Sequence, residues 1–252
     1  MNEIEQCSCS KALGFKIRMA YQPIIDVRNQ SIFAQEALVR GEHGESAGEV
    51  LGRISENNVH SFDQLCRVTA ITTAARLGLD TRVSINFLPN AIYKPETCIA
   101  RTLDAARKFS VPSDRIMFEV AEHERITSHD LLLEVFECYK AEGFLTAIDD
   151  FGQGYAGLNL LADFQPDYIK LDRQLISFID QNRARQVIVK GIISVAYELD
   201  IGVIAEGIER EEEHCFLVDH GVYLMQGYLY QRPALEQLMG IGQVHLPDCK
   251  MP

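Results

Sequence analysis

The sequence lacks the features that would place it in several large classes of protein. None of its seven cysteines stands in a Cys-x-x-Cys pair, and its most apolar stretch, near Val187–Ala196, is interrupted by Lys190. These absences argue against a disulfide-rich mini-domain and against a membrane span. The acidic start, Met1-Asn-Glu-Ile-Glu, has no apolar core of the kind that a secretory signal needs. We therefore expect a cytoplasmic protein whose cysteines are reduced.

Positive charge is scarce as well. The chain has 24 lysines and arginines against 36 aspartates and glutamates, which gives a net charge of −12. A surface that binds duplex DNA needs many cationic side chains along its phosphate contacts, so this balance argues against that class. Divalent cations held by carboxylates can nevertheless make a single site positive. An acidic protein that acts on a phosphodiester should therefore contain a carboxylate cluster.

Short β-prone runs alternate with segments whose apolar residues recur three and four positions apart. This alternation predicts an α/β fold, a TIM-like (β/α)8 barrel. Only Asp26–Gln30 separates the first two strands, which is too short for a crossover helix, so we expect the first strand antiparallel to the others. The strands are predicted at Met19–Ile25, Ser31–Leu38, Val83–Phe87, Ile116–Val120, Leu145–Ile148, Tyr168–Leu171, Val203–Ala205 and Tyr223–Met225. The helices include Phe62–Leu77, Ile99–Phe109, Asp130–Glu142, Arg183–Leu199 and Glu211–Asp219.

Domain boundaries leave no mark in the composition. The sequence has no proline- or serine-rich linker and no low-complexity tract. We therefore predict one barrel over residues 17–241, preceded by an N-terminal extension, 1–16, and followed by a C-terminal tail, 242–252. Such a chain either works alone or is one domain of a longer protein.

Oxygen-bearing side chains and one lysine stand at the C-terminal ends of the predicted strands. In a parallel barrel these ends gather on one face. Carboxylate and amide oxygens are the ligands that Mg²⁺ and Mn²⁺ prefer. The adjacent Asp149 and Asp150 are the most informative pair, because one carboxylate can bridge two cations while its neighbour holds the second. The set is Glu36, Asn86, Glu119, Asp149, Asp150, Lys170, Glu206 and Gln226.

Each of these residues also has a structural interpretation. Asp149 and Asp150 could cap the turn into the following helix. Lys170 could be a solvated lysine at a strand end, and Glu119 could be an outward-facing strand residue. These interpretations are independent and would all have to hold at once, whereas one shared metal site accounts for the whole set.

Motifs that follow one another along the chain carry a family resemblance. From about Tyr21 to Pro233 the sequence resembles the EAL domain family. The resemblance implies a phosphodiesterase specific for cyclic di-GMP, a bacterial second messenger, which it opens to linear pGpG with two divalent cations, Mg²⁺ or Mn²⁺. The motifs are Tyr21-Gln-Pro-Ile-Ile, Glu36-Ala-Leu-Val-Arg40, Asn86-Phe-Leu, Glu119-Val-Ala-Glu122, Asp149-Asp-Phe-Gly-Gln-Gly-Tyr155, Lys170-Leu-Asp172, Glu206-Gly-Ile-Glu209 and Gln226-Gly-Tyr.

The resemblance also implies roles for individual residues. Lys170 would orient the attacking water or help to deprotonate it, and Glu206 could act on the same water. Glu122 would steady the loop after Asp150. One cation would be held by Glu36, Asn86, Glu119 and Asp149, and the other by Asp149, Asp150 and Glu206. Substrate contacts would come from Gln22, Leu38, Arg40, Asp172 and Gln226.

Two other functions stay open at this point. One is a module of the same fold that binds cyclic di-GMP or a protein without turnover, and the other is a barrel hydrolase for a different phosphodiester. Family members that only bind have lost metal ligands, and none is lost here. The resemblance favours a homodimer through the face near the loop after Asp150. We expect neither duplex nucleic acid nor membrane insertion.

Overall fold

The barrel begins with a hairpin whose first strand runs against the rest of the sheet. The computed structural model describes residues 13–92, 94–122, 129–154 and 157–247. In it β1 (Ile17–Asp26) pairs antiparallel with β2 (Ser31–Gly41). The Asp26 carboxylate accepts hydrogen bonds from the N–H groups of Arg28 and Asn29 and so closes the turn. The short connection therefore joins two antiparallel strands, as predicted from its length.

The later strands complete a closed barrel. Each strand from β2 to β8 is parallel to the next, and β1 closes the ring by pairing antiparallel with both β2 and β8. This arrangement confirms the predicted fold. A further strand, β9, was not predicted and pairs with the other half of β1. The strands are β3 (Arg82–Asn86), β4 (Ile116–Ala121), β5 (Leu145–Phe151), β6 (Tyr168–Leu171), β7 (Gly202–Ala205), β8 (Leu224–Met225) and β9 (Ala234–Leu235).

Helices cover the outside of the barrel. The predicted long helices are all present, with ends that differ by a few residues, whereas three of the short ones were not predicted. None of the helices in the described ranges has the length and apolarity needed to cross a bilayer. They are α1 (Ala47–Leu51), α2 (Val59–Arg76), α3 (Pro95–Lys108), α4 (His129–Ala141), α5 (Gly157–Asp163), α6 (Arg173–Ile176), α7 (Arg183–Glu198) and α8 (Glu211–Asp219).

Strand alternation divides the barrel interior into an apolar layer and a polar layer. Ile24, Ala34, Met117, Ala147 and Ile204 form a buried cluster of their own, separate from the larger core under the helices. Side chains two positions apart on a strand point to the same face. The residues two positions beyond Ala34, Met117, Ala147 and Ile204 are therefore also interior, and they are Glu36, Glu119, Asp149 and Glu206.

The cysteines depart from the expectation in one place. Cys66, Cys98 and Cys138 are not in disulfides, as predicted. Cys215, on α8, is disulfide-bonded, so the expectation of reduced cysteines is wrong for this residue. The cytoplasmic location drawn partly from that expectation stays a prediction.

Candidate active site

Lys170 lies at the centre of the polar layer and is fully buried. Its Nζ lies 2.6 Å from Glu206 Oε1 and 2.7 Å from Glu119 Oε2. Asp149 Oδ1 lies 3.1 Å from the same nitrogen, and Glu36 Oε2 lies 3.7 Å from it. A solvated lysine at a strand end would have no such surroundings. One ammonium group therefore faces four carboxylates inside the barrel.

The Glu36 carboxylate connects this cluster to the amide side chains. Asn86 Nδ2 donates to Glu36 Oε1 over 3.1 Å, and Gln226 Nε2 donates to Glu36 Oε2 over 2.6 Å. The same Gln226 nitrogen lies 3.1 Å from Oε1 of Gln22, the residue opposite Glu36 in the hairpin. Gln226 Oε1 is buried and accepts no hydrogen bond from the described residues, so it is free to accept one from a bound water.

The carboxylates form two groups of three that suit divalent cations. Glu36, Glu119 and Asp149 each bring one oxygen within 4.8 Å of the others, and Asp149, Asp150 and Glu206 do the same. Asp149 belongs to both groups. Oxygen donors are the chemistry that Mg²⁺ and Mn²⁺ require. The donor set therefore fits a pair of divalent cations that share one carboxylate.

Burial and mutual repulsion perturb the ionisation of these groups. Burial raises the pKa of Glu119 to about 8, with Lys170 opposing the rise and Glu36 adding to it. Burial, reinforced by Asp149, also holds the pKa of Glu206 well above its usual range. Burial works against the charge of Asp149 as well, but the Lys170 ammonium and several hydrogen bonds outweigh it and lower the pKa of that carboxyl. Lys170 alone therefore does not keep all four carboxylates charged, and Glu119 and Glu206 hold protons more readily than ordinary glutamates.

Glu122 holds the loop that follows β5. Its Oε2 accepts hydrogen bonds from the N–H groups of Gly152, over 2.7 Å, and Gly154, over 3.1 Å. The family resemblance implies that Glu122 steadies this loop, and these are contacts through which it would do so. Gly152 has a φ of +104°, a backbone conformation that favours glycine. The loop is thus fixed directly beyond the Asp149–Asp150 pair.

An open cleft of about 230 Å³ leads to the cluster. Two expected substrate contacts do not line it. Arg40 turns back and donates to the Val39 carbonyl over 2.7 Å. Asp172 caps α6 by accepting from Gln174 N, and its other oxygen accepts from the Gln153 side chain. The lining includes Gln22, Glu36, Leu38, Glu206 and Gln226.

Several residues around the cluster were not identified from the sequence. The Ser84 hydroxyl donates to Glu119 Oε1. Ser84 stands two positions before Asn86, so strand alternation would have identified it. Arg173 and Glu209 line the cleft and form a salt bridge of 2.7 Å. Arg173 directly follows the motif Lys170-Leu-Asp172, and Glu209 is the last residue of the motif that begins at Glu206. No feature of the sequence indicated that the two side chains are partners.

Comparison with known proteins identifies the family. The model of the EAL domain matches residues 8–233. A standalone versatile EAL protein from Vibrio cholerae O395, solved with c-di-GMP bound, is 48% identical and has a TM-score of 0.88 over 92% of this chain and 96% of that one. The manganese/cy-diGMP complex of Klebsiella pneumoniae BlrP1 is 34% identical, with a TM-score of 0.83 over 87% of this chain and 56% of that one.

Two curated relatives carry different descriptions. The blue light- and temperature-regulated antirepressor BluF of Escherichia coli is 31% identical over 98% of this chain and 60% of its own length. The cyclic di-GMP phosphodiesterase RocR of Pseudomonas aeruginosa is 30% identical over 65% of this chain and 41% of its own length. The chain thus spans less than two thirds of either relative. With the family model matched over most of its residues, the chain belongs to the EAL domain family.

Proposed function

We propose that this chain hydrolyses cyclic di-GMP to linear pGpG in a reaction that requires divalent cations. The observation that carries the proposal is the sharing of Asp149 by two acidic groups that lie against Lys170. Relatives of this chain named as cyclic di-GMP phosphodiesterases, and neighbours solved with cyclic di-GMP and manganese, support the choice of substrate and metal.

In the proposed reaction a water oxygen attacks one phosphodiester phosphorus and one P–O bond breaks. The water contributes a hydroxyl group to the new phosphate, and the leaving oxygen gains a proton to become an alcohol. The second phosphodiester stays intact, which gives the linear product. Bound divalent cations supply Lewis acidity and lower the pKa of a coordinated water.

Residues of this chain would hold those cations and the reacting groups. Glu36, Asn86, Glu119 and Asp149 are assigned to one cation, and Asp149, Asp150 and Glu206 to the other. Lys170 is assigned to the attacking water, as an orienting group or a proton acceptor, and Glu206 to the same water. Gln226, with its free buried Oε1, and Gln22 and Leu38, on the cleft wall, are assigned to substrate contacts.

Arg40 and Asp172 are the least supported members of the proposal. Both are bonded to their own surroundings and stand outside the cleft lining. Their assignment to substrate needs a side-chain rotation for Arg40, whose planar fork suits a phosphate oxygen. For Asp172 the helix cap is a sufficient role.

The direct test is incubation of the purified chain with cyclic di-GMP and Mg²⁺ or Mn²⁺, followed by chromatography for pGpG. Product should accumulate with either metal and cease with excess chelator. Ca²⁺ should support little turnover, because its larger and looser coordination sphere suits this chemistry poorly. Product formation at an unchanged rate in excess chelator would contradict the metal requirement.

A module that binds without turnover is the second candidate. The likeness to BluF, which is named an antirepressor and matches nearly the whole chain, favours it. Calorimetric binding of cyclic di-GMP in Ca²⁺, together with no pGpG in Mg²⁺ or Mn²⁺, would select this function. A panel of other phosphodiesters would reveal a different substrate.

The homodimer is also part of the proposal. Leu158, on the helix directly after the Asp150 loop, is 63% exposed, and α7 exposes Val187 and Ile188 by 53% and 50%. Contiguous exposed apolar surface marks protein contacts, whereas single exposed side chains are common on any surface, and substitution of Leu158 distinguishes the two. Sedimentation velocity should detect a dimer that Leu158→Glu weakens. Leu77→Glu, at a 40% exposed position after α2, is the matched control and should leave the mass unchanged.

A further inference from the structure

A second buried cation lies outside the barrel, between α2 and the sheet. Arg67 is fully buried, and its Nη2 lies 2.8 Å from Asp63 Oδ2, one helical turn earlier. Arg67 Nη1 donates to the hydroxyl of Tyr139 on α4. Asp63 and Tyr139 are buried as well. The three side chains, called here the α2 brace, therefore join two helices behind β3 and β4.

The Arg67 guanidinium packs against the aromatic residues next to two candidate metal ligands. Its carbon lies 5.5 Å from the ring centroid of Phe87 and 5.2 Å from that of Phe118. Phe87 follows Asn86, and Phe118 precedes Glu119. Neighbouring side chains on a strand point to opposite faces. The brace therefore contacts the outer side of the same strand ends whose inner side carries Asn86 and Glu119.

Backbone hydrogen bonds connect the brace to the same two strand ends. Asp63 Oδ1 accepts from the N–H of Leu88 over 3.0 Å, two residues beyond Asn86. The N–H of Phe87 in turn donates to the Glu119 carbonyl over 2.9 Å, where β3 and β4 lie in register. Loss of the Asp63 contact would therefore free the segment that fixes the direction of Asn86.

Stability alone is a weak explanation for this arrangement. Well-packed apolar side chains of similar volume often replace a buried ion pair without loss of stability. The planar guanidinium instead offers a directional hydrogen bond to Tyr139, an ion pair to Asp63 and a flat face for the rings. All of these contacts bear on the same two strand ends, those of β3 and β4.

We propose that the α2 brace of Asp63, Arg67 and Tyr139 is a positioning device that sets Asn86 and Glu119 for divalent cation binding. None of the three is among the residues assigned to the cations or to the substrate. Groups that orient metal ligands from behind typically contribute ten- to a hundredfold to metal affinity. This inference rests on the cation site of the proposed function but not on its substrate.

The test is titration of the full purified chain with Mn²⁺, read by calorimetry or by the EPR signal of free Mn²⁺. Tyr139→Phe keeps the ring and removes only the hydroxyl, and should weaken Mn²⁺ binding by roughly tenfold. Asp63→Leu with Arg67→Met removes both charges together and should weaken it at least as much while the chain stays folded. Circular dichroism melts establish the folding of every variant.

Thr146→Val is the matched control. Thr146 is fully buried, and its hydroxyl hydrogen-bonds Asp167 over 2.9 Å at the opposite end of β5. It loses a buried hydroxyl, as Tyr139→Phe does, but should bind Mn²⁺ like the wild type. Wild-type affinity in both brace variants, an equal loss in Thr146→Val, or no Mn²⁺ binding by the wild type would overturn the inference. Mn²⁺ binding without pGpG would instead overturn only the proposed function.

Discussion

Among the residues that the structure describes, two cationic side chains are completely buried, and their surroundings differ in charge balance. Arg67 has one carboxylate, one tyrosine hydroxyl and aromatic rings around it. Lys170 faces the carboxylates of four residues. The first set pairs one charge of each sign, although Arg67 Nε has no hydrogen-bond partner among the described residues. The second has more carboxylates than one ammonium group can neutralise, and either protons on Glu119 and Glu206 or further cations offset the remainder.

The largest effect is expected from substitution of Asp149, the residue that both carboxylate groups share. Asp149→Asn removes a charge from both carboxylate groups, so pGpG formation in Mg²⁺ or Mn²⁺ should fall below detection. Product is measured by chromatography after matched protein purification. Asp180→Asn, which alters an aspartate paired with Arg210 away from the cleft, should keep the wild-type rate. Normal turnover by Asp149→Asn would contradict the shared site.

Substitution of Arg67 should instead lower the stability of the protein. Arg67→Met leaves Asp63 buried without its partner, and breaking such a pair costs about 3–5 kcal/mol of unfolding free energy. Urea denaturation measures the loss. Addition of Asp63→Leu should recover most of it, because the unpaired charge disappears. If Arg67→Met alone were as stable as the wild type, Arg67 would not be needed to neutralise Asp63.

Substitution of Lys170 should instead lower the catalytic rate. Lys170→Ala should lower the rate of pGpG formation by roughly a hundredfold or more, the scale for a positioned proton-handling group. Affinity for cyclic di-GMP, measured by calorimetry with Ca²⁺ to suppress turnover, should change little. If affinity fell in step with the rate, Lys170 would belong to the substrate contacts instead.

The smallest expected effect concerns the loop that Glu122 holds. Glu122→Ala removes the acceptor of the Gly152 and Gly154 N–H groups, which should reduce metal affinity or activity by roughly ten- to a hundredfold. Part of the activity should return at high Mg²⁺. Glu142→Ala, at an exposed position after α4, is the control. Metal titrations of Glu122→Ala that overlay the wild-type curve would leave Glu122 without a role in the site.

The sequence predicted those elements that have a strong local period. The parallel strands and long helices were found because apolar residues recur along them. The strand β9 and the helices α1, α5 and α6 span too few residues to carry a period. The polar layer was also largely predictable, since Glu119, Asp149 and Glu206 stand at or near strand ends that the barrel brings to one rim, whereas Glu36 lies in the middle of β2.

Contacts that depend on packing were not predictable. Asp63 and Arg67 are four apart on a helix, a spacing that usually indicates an exposed pair, and only the tertiary fold buries them. Asp172 is a second case. A motif match implies a substrate contact, which stays a proposal, and nothing in the sequence indicated that its carboxylate also caps α6 and accepts a hydrogen bond from Gln153. Side-chain direction decides such cases, and a sequence does not specify it.

The antiparallel first strand has a consequence for how the chain folds. The hydrogen bond between Gln22 and Gln226 joins residues 204 positions apart, and β1 also pairs with β8 and β9 near the end of the chain. During synthesis the ring therefore cannot close until the residues of β8 have left the ribosome. Contacts of such long sequence separation make folding slow. Until then β1 keeps an unpaired edge, the state in which a nascent sheet protein is most exposed to aggregation.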